Sequence, residues 1–173
     1  MTSVVRLPFS LRAARPSDAE HIEAIENAAD VLLRDALGAA DWPPAAEGSA
    51  RLSAPGFTLV AVEGDDHSPV GFVHVLDADG HAHLEQLSVL PSHGRRGIGR
   101  ALVEAGMEEA RARGYSRITL RTYAEVPWNA PFYSSCGFSE SIPEGAFLRS
   151  LLDVEDGLGL DRWGRRVQMT ALL

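Results

Sequence analysis

Lysine is missing from this chain: all sixteen basic residues are arginine. Cysteine is nearly missing too. Cys136 stands alone, which excludes an internal disulfide and fits a reducing, cytoplasmic setting. No apolar run approaches the ~18 residues a membrane-spanning helix needs, so no membrane partner is expected. Met1 to Ala14 holds no uninterrupted apolar segment ending in a small-residue cleavage site, so no secretory leader is expected. Positive charge is in deficit, 16 basic against 24 acidic residues for a net charge of −8, which argues against a general nucleic-acid partner. The histidines show no metal-ligand spacing with Cys136 or the carboxylates, so no metal is expected. There is no internal repeat and no low-complexity tail.

What is present is ordinary globular material. At 173 residues, 45% apolar and 23% charged, residues 1–173 read as one domain with a real core. Phe9 to Ala14 predicts a first strand. Ser17-Asp18-Ala19-Glu20 fits a helix capping box, followed by Ile22, Ile25 and Ala29 at helical spacing. Val31, Leu32 and Leu37 suggest a second helix. Gly38 to Gly56 is a long loop with Trp42, which either lines a pocket or anchors the loop. Phe57–Val62 and Val70–Leu76 predict an antiparallel hairpin, and His81–Val89 a third strand. A helix from Ile98 ending at Gly114, a strand over Ser116–Thr122, a short helix ended by Gly137, a helix over Glu144–Asp156 and a strand over Arg166–Leu172 complete the chain. Strand, helix and strand around Ile98 form a crossover unit with parallel strands.

The chain is organised around Leu87 to Leu102: strand, proline, a loop rich in glycine and arginine, then a helix. Gly97 and Gly99 allow close backbone approach, and the helix start leaves N–H groups free for an anion. Arg95, Arg96 and Arg100 add three positive charges against an acidic background, so the ligand expected is a phosphate. The common nucleotide loops fail here. Gly94 and Gly99 have Walker spacing, but Arg100 and Ala101 stand where Lys and Ser/Thr are needed. Gly97-Ile98-Gly99-Arg100-Ala101 leads to Leu102 where a dinucleotide fingerprint needs a small residue.

The loop resembles motif A of the GNAT-type N-acetyltransferases, Q/R-x-x-G-x-G/A, with Gly97 and Gly99 matching and Gly94 at the Q/R position. About thirty residues on, Asn129, Tyr133, Gly137 and Phe138 resemble motif B of the same family. The resemblance spans nearly the whole chain. It implies an α/β (α+β) GNAT fold: a mixed, mostly antiparallel, six- to seven-stranded twisted sheet with helices on both faces. It implies acetyl-CoA as co-substrate, its pyrophosphate cradled by Gly94, Arg95, Arg96, Gly97, Ile98, Gly99, Arg100 and Ala101, and its arm bonded by backbone groups of Leu87, Ser88 and Val89 where the strand splays from its parallel neighbour. Asn129 caps its helix and touches the same arm. A chain without lysine cannot acetylate its own lysine side chains.

Acetyl transfer to an amine needs a base and an acid for the departing thiolate. Tyr133 is the candidate acid. Glu85 is the candidate base, through water; it stands two residues before Leu87, so the two side chains are expected on one face. His81 and His83 alternate with Glu85 and are rival bases. Cys136 has no spaced His or Asn partner and reads as a small core residue. The acceptor expected is a primary amine of a small molecule. A protein N-terminal or lysine acetyltransferase is the alternative within the class, and a non-catalytic acyl-CoA sensor or a nucleotide-binding module the alternatives outside it. Exposed strand edges near the C-terminus make a homodimer unsurprising.

Overall fold

The computed structural model describes residues 8–173; part of the Met1–Ala14 stretch read for a leader lies outside them. Seven strands form one sheet: β1 (Ser10–Ala13), β2 (Phe57–Glu63), β3 (Ser68–Ala78), β4 (His81–Val89), β5 (Arg117–Tyr123), β6 (Ser139–Ser141) and β7 (Arg166–Leu172), in the order β1-β2-β3-β4-β5-β7-β6. Only β4 and β5 run parallel; every other neighbour is antiparallel. Five helices flank the sheet: α1 (Ala19–Leu37), α2 (Gly48–Ser53), α3 (Ile98–Ala112), α4 (Ala130–Ser135) and α5 (Gly145–Leu158). This is the mixed sheet expected, with helices on both faces.

Alternation along the strands sorts the faces. Val73, Val75, Leu84, Ile118, Leu120 and Met169 point to one side, where Ile98, Leu102 and Val103 of α3 and Tyr133 of α4 complete the main core. Val60, Val62 and Phe72 point to the other and meet Ile22 and Ile25 of α1. Farther along that second face, Phe147 of α5 stacks on His81 at 5.0 Å and sets its edge to His83 at 6.1 Å.

Three local expectations are corrected. The Ser17 capping box does not form: Pro16–Asp18 is a 3-10 turn, and the Asp18 carboxylate accepts the Arg15 N–H at 2.7 Å while pairing with Arg12. The second helix proposed from Val31 is the continuation of α1, since no glycine or proline interrupts the helix before Gly38; Val31 and Leu32 face solvent, 47% and 49% exposed. The long loop contains α2, whose start lies hard against α1. A Cβ on Gly48 would sit 1.8 Å from the Ala19 carbonyl oxygen, so only glycine fits. Trp42 anchors the rest of that loop, packing on Trp163 at 5.3 Å and Tyr123 at 6.2 Å and donating to Asp30 at 3.3 Å.

Candidate active site

The site begins where the sheet comes apart. β4 pairs with β5 over three residues only, from Ala82 opposite Ile118 to Leu84 opposite Leu120. Beyond them β4 stays on β3 to Val89, and β5 stays on β7 to Tyr123. The β5-facing edge of β4 from Glu85 to Val89, which includes Leu87, Ser88 and Val89, therefore keeps backbone groups unpaired toward the gap. A β-bulge marks the same point: Val75 faces Leu84 and His74 faces Gln86, leaving Glu85 as the extra residue. The bulge overturns the expectation that Glu85 and Leu87 share a face. Leu84 and Leu87, three residues apart, both pack on the α3 side, whereas Glu85 reaches the α1 side with His83.

Below the gap lies the arginine loop. Pro91–His93 forms a 3-10 turn, Arg95 takes a positive φ of 60°, and Gly97 at φ 81° starts α3. Nothing lies within 4 Å of where a Gly97 Cβ would be, and a Cβ on Gly99 would lie 3.7 Å from the Phe132 ring of α4. The first intrahelical bond runs from Ala101 N–H to Gly97 at 3.0 Å, so the N–H groups of Ile98, Gly99 and Arg100 remain open to an anion. That bond also commits the Ala101 N–H, and the Gly94 N–H is bonded to Pro91 at 3.2 Å, so neither is a free donor. The Ile98 side chain is core. The arginines differ. Arg96 pairs with Glu63 at 3.2 Å, beside a 2.7 Å contact from His93 to the same carboxylate. Arg100 ties α3 to the end of α4 through Ser135, at 3.1 Å to its carbonyl and 2.7 Å to its hydroxyl. Arg95 has no ion-pair partner among the described residues. An open strand edge, free helix N–H groups and an uncompensated Arg95 suit an extended thioester with a pyrophosphate, so the residues present fit acetyl-CoA.

Tyr133 sits on the α3 side, 8% exposed, between the rings of Phe132 at 5.2 Å and Phe138 at 5.8 Å. Burial raises its phenol well above the usual range, so the proton stays on at neutral pH. Asn129 stands at the start of α4 but makes no side-chain cap; its carbonyl accepts the Tyr133 N–H at 2.9 Å. Burial raises the Cys136 thiol, the opposite of an activated nucleophile.

On the α1 side, Glu85 lies just past the point where β4 stops pairing with β5. Its side chain is 40% exposed, yet the surrounding protein raises its carboxyl above the ordinary value, with Arg51 pulling the other way and Glu155 adding to the rise. His83, 4% exposed, bonds Thr119 at 2.8 Å and is pushed down to about 4 by burial, so it is neutral at pH 7 and a poor base. Around them stand residues not singled out from the sequence. Arg51 of α2 binds Glu26 of α1 at 2.6 and 2.9 Å. Burial raises both Glu26 and Asp30. Arg121 of β5 meets Glu155 of α5 at 2.9 Å, and Arg166 meets the same carboxylate at 2.5 Å. Burial alone would raise Glu155, but these hydrogen bonds outweigh it and hold it low. A signal for Glu26 existed: it falls on the apolar stripe of Ile22 and Ile25, where a carboxylate must find a partner.

Comparison with known proteins gives a consistent result. The model of the GNAT acetyltransferase family matches residues 23–138. A mycothiol acetyltransferase of Clavibacter sepedonicus is 30% identical over 152 residues, 82% of this chain and 48% of that protein, so the chain spans about half that relative's length. A GCN5-related N-acetyltransferase from Rhodopseudomonas palustris superposes with a TM-score of 0.67 at 26% identity, covering 100% of both chains. The PaiA N-acetyltransferase of Thermoplasma acidophilum, in complex with coenzyme A, gives 0.69 at 13% identity over 95% of this chain and 99% of that one.

Proposed function

The chain belongs to the GNAT acetyltransferase family, and from that premise we propose that it is an acetyl-CoA-dependent N-acetyltransferase whose acceptor is a primary amine of a small cationic molecule, acetylated by direct attack within a ternary complex. The observation that carries this reading is Glu85, lifted by the bulge onto the acceptor side of an open strand edge. Glu26 and Glu155 are already paired with Arg51, Arg121 and Arg166, whereas Glu85 has no arginine at ion-pair distance among the described residues and so favours a cation. The relative named as a mycothiol acetyltransferase supports a small acceptor.

Acetyl-CoA supplies an acetyl group activated as a thioester. The unpaired backbone of Leu87, Ser88 and Val89 would hold its arm, and Arg95 with the N–H groups of Ile98, Gly99 and Arg100 would hold its pyrophosphate. Glu85 takes the proton of the arriving ammonium, directly or through one water, leaving a free lone pair on nitrogen. Its raised pKa moves the carboxylate toward the basicity the task needs. Tyr133 Oη keeps a proton available for the departing sulfur.

The test is release of CoA thiol with a panel of primary amines. Glu85→Gln should lower kcat by about 10²-fold, the lower range for a positioned base, and Tyr133→Phe should lower it with the amine KM unchanged. Unaltered turnover in both variants refutes the mechanism. Tight acetyl-CoA binding without thiol release from any amine would favour the non-catalytic sensor.

A further inference from the structure

We propose that His83, held by Thr119, orients the Glu85 carboxylate toward the acceptor amine, and so positions the base without carrying the proton. This rests on the reading of Glu85 as the base. The residues form a short chain across the pairing between β4 and β5, one residue before it ends. Thr119 is directly opposite His83 in that register, and its Oγ1 lies 2.8 Å from His83 Nδ1. The other ring nitrogen, Nε2, lies 3.8 Å from Glu85 Oε2. The His83 side chain is 4% exposed, with Phe147 edge-on at 6.1 Å, so the ring is confined.

Chemistry selects the tautomer. A hydroxyl can donate or accept, but an ionised carboxylate only accepts. The arrangement that satisfies both ends has Thr119 O–H donating to Nδ1 and the Nε2–H directed at Glu85. The opposite tautomer would set a nitrogen lone pair against the carboxylate. At 3.8 Å the second contact is longer than a hydrogen bond, and catalytic contacts commonly tighten only when substrate is bound. Once one carboxylate oxygen is engaged, the other is left free for the acceptor. The charged and titratable groups facing this pair are Arg51 from α2, Glu26 from α1, His81 on β4, Arg121 from β5 and Glu155 from α5. Arg121 opposes protonation of His83, in keeping with a neutral donor.

The first readout of the closing experiment needs no acceptor. In the full chain, imidazole ¹⁵N spectra read the His83 tautomer, and the side-chain ¹³C shift of Glu85 reads its titration midpoint. The expected result is a neutral Nε2–H tautomer from about pH 6 to 8. The Glu85 midpoint should rise by about 0.5 in Thr119→Val, because a donor to the charged form is weakened, and return in Thr119→Ser. His83→Gln serves as a second probe if Thr119→Val folds poorly. With 1,4-diaminobutane and tyramine as probe amines, Thr119→Val should lower kcat about tenfold through lost orientation, leave the acetyl-CoA KM unchanged, and have no added effect on a Glu85→Gln background. An Nδ1–H tautomer, or a Glu85 midpoint that does not move, overturns the proposal and leaves the base reading standing. Full turnover in Glu85→Gln overturns both.

Discussion

Replacing Arg51 with Met tests what holds the acceptor side of the sheet together, and its cost should depend on pH in a calculable way. Arg51 and Glu26 are 10% and 8% exposed at their side chains and 2.6 Å apart. Methionine keeps most of the apolar contact over Phe72, whose ring centre lies 5.7 Å from the guanidinium carbon. What is lost is the counter-charge of a buried carboxylate, a change that typically costs about 3–5 kcal/mol. Glu26 has an escape, which is to take up a proton. Burial already raises its pKa above the ordinary 4.5 with Arg51 in place, and removal of Arg51 raises it further. A group whose folded pKa is raised contributes stability below its unfolded pKa and loses it as pH rises. Neutralising Glu26 costs about 1.36 kcal/mol per pH unit above 4.5. The charge penalty is therefore capped at about 3.4 kcal/mol at pH 7 and about 0.8 kcal/mol at pH 5.

Urea unfolding of Arg51→Met against wild type at matched pH from 5 to 8 measures this. The difference in stability should shrink by about 2 kcal/mol between pH 7 and pH 5, with m unchanged. The double variant Arg51→Met/Glu26→Gln should lose most of that slope, because the carboxylate that Arg51 contacts at 2.6 Å is gone. A difference that stays flat across the range would show that Glu26 is not kept charged by Arg51, and would refute the electrostatic account of this face.

Three further outcomes follow from the same geometry. Gly48→Ala drives a Cβ to 1.8 Å from the Ala19 carbonyl oxygen and should cost about 4 kcal/mol or more, whereas Gly80→Ala, at φ +75° with nothing within 4 Å, should cost only the ~1 kcal/mol of a strained backbone; thermal melts separate the two. By calorimetric titration, Arg95→Ala should weaken acetyl-CoA binding more than Arg96→Ala, since Glu63 already partners Arg96, and only the Arg95 effect should fade strongly with added salt. Glu155→Ala strands Arg121 and Arg166, 8% and 16% exposed, for about 3–5 kcal/mol at neutral pH; because the Glu155 pKa is depressed, wild type should lose this contribution as pH falls through the folded value, while the variant's acid unfolding is less steep.

The parts of this molecule that could be read from sequence are those whose signal is local. The Phe57–Val62 and Val70–Leu76 strands are apolar and rich in β-branched residues and are separated by turn residues. Ile98, Leu102 and Gly114 mark α3, and Gly97 and Gly99 announce a loop that must approach an anion. The loop's position below a splayed sheet matches the family resemblance. What escaped is set by partners far apart in sequence. α2 is six residues, Gly-Ser-Ala-Arg-Leu-Ser, too short for any period to show. β6 is three residues that extend only because β7 is there to pair with. Arg51 and Glu26 are twenty-five positions apart, and Arg121 and Glu155 thirty-four, yet each pair puts a charge where neither residue could stay alone.

The bulge at Glu85 is the instructive failure, because the reasoning behind the expectation was sound for a regular strand. Period-two alternation puts residues 85 and 87 on one face. The two leucines at 84 and 87 cannot both face the α3 side unless the strand takes one extra residue between them, and there Leu84 is buried, worth about 1.5–3 kcal/mol, while Leu87 packs partly buried against the same core. The sheet accepts the irregularity, and the residue it displaces is the carboxylate. Leu84-Glu85-Gln86-Leu87 thus combines two apolar anchors out of phase with a polar pair between, a pattern that breaks strand periodicity and points to the place where pairing with β5 ends. The same four residues account for the open edge, the reversed side of Glu85 and its approach to His83, so the departure from regular β-structure is what the candidate chemistry is built on.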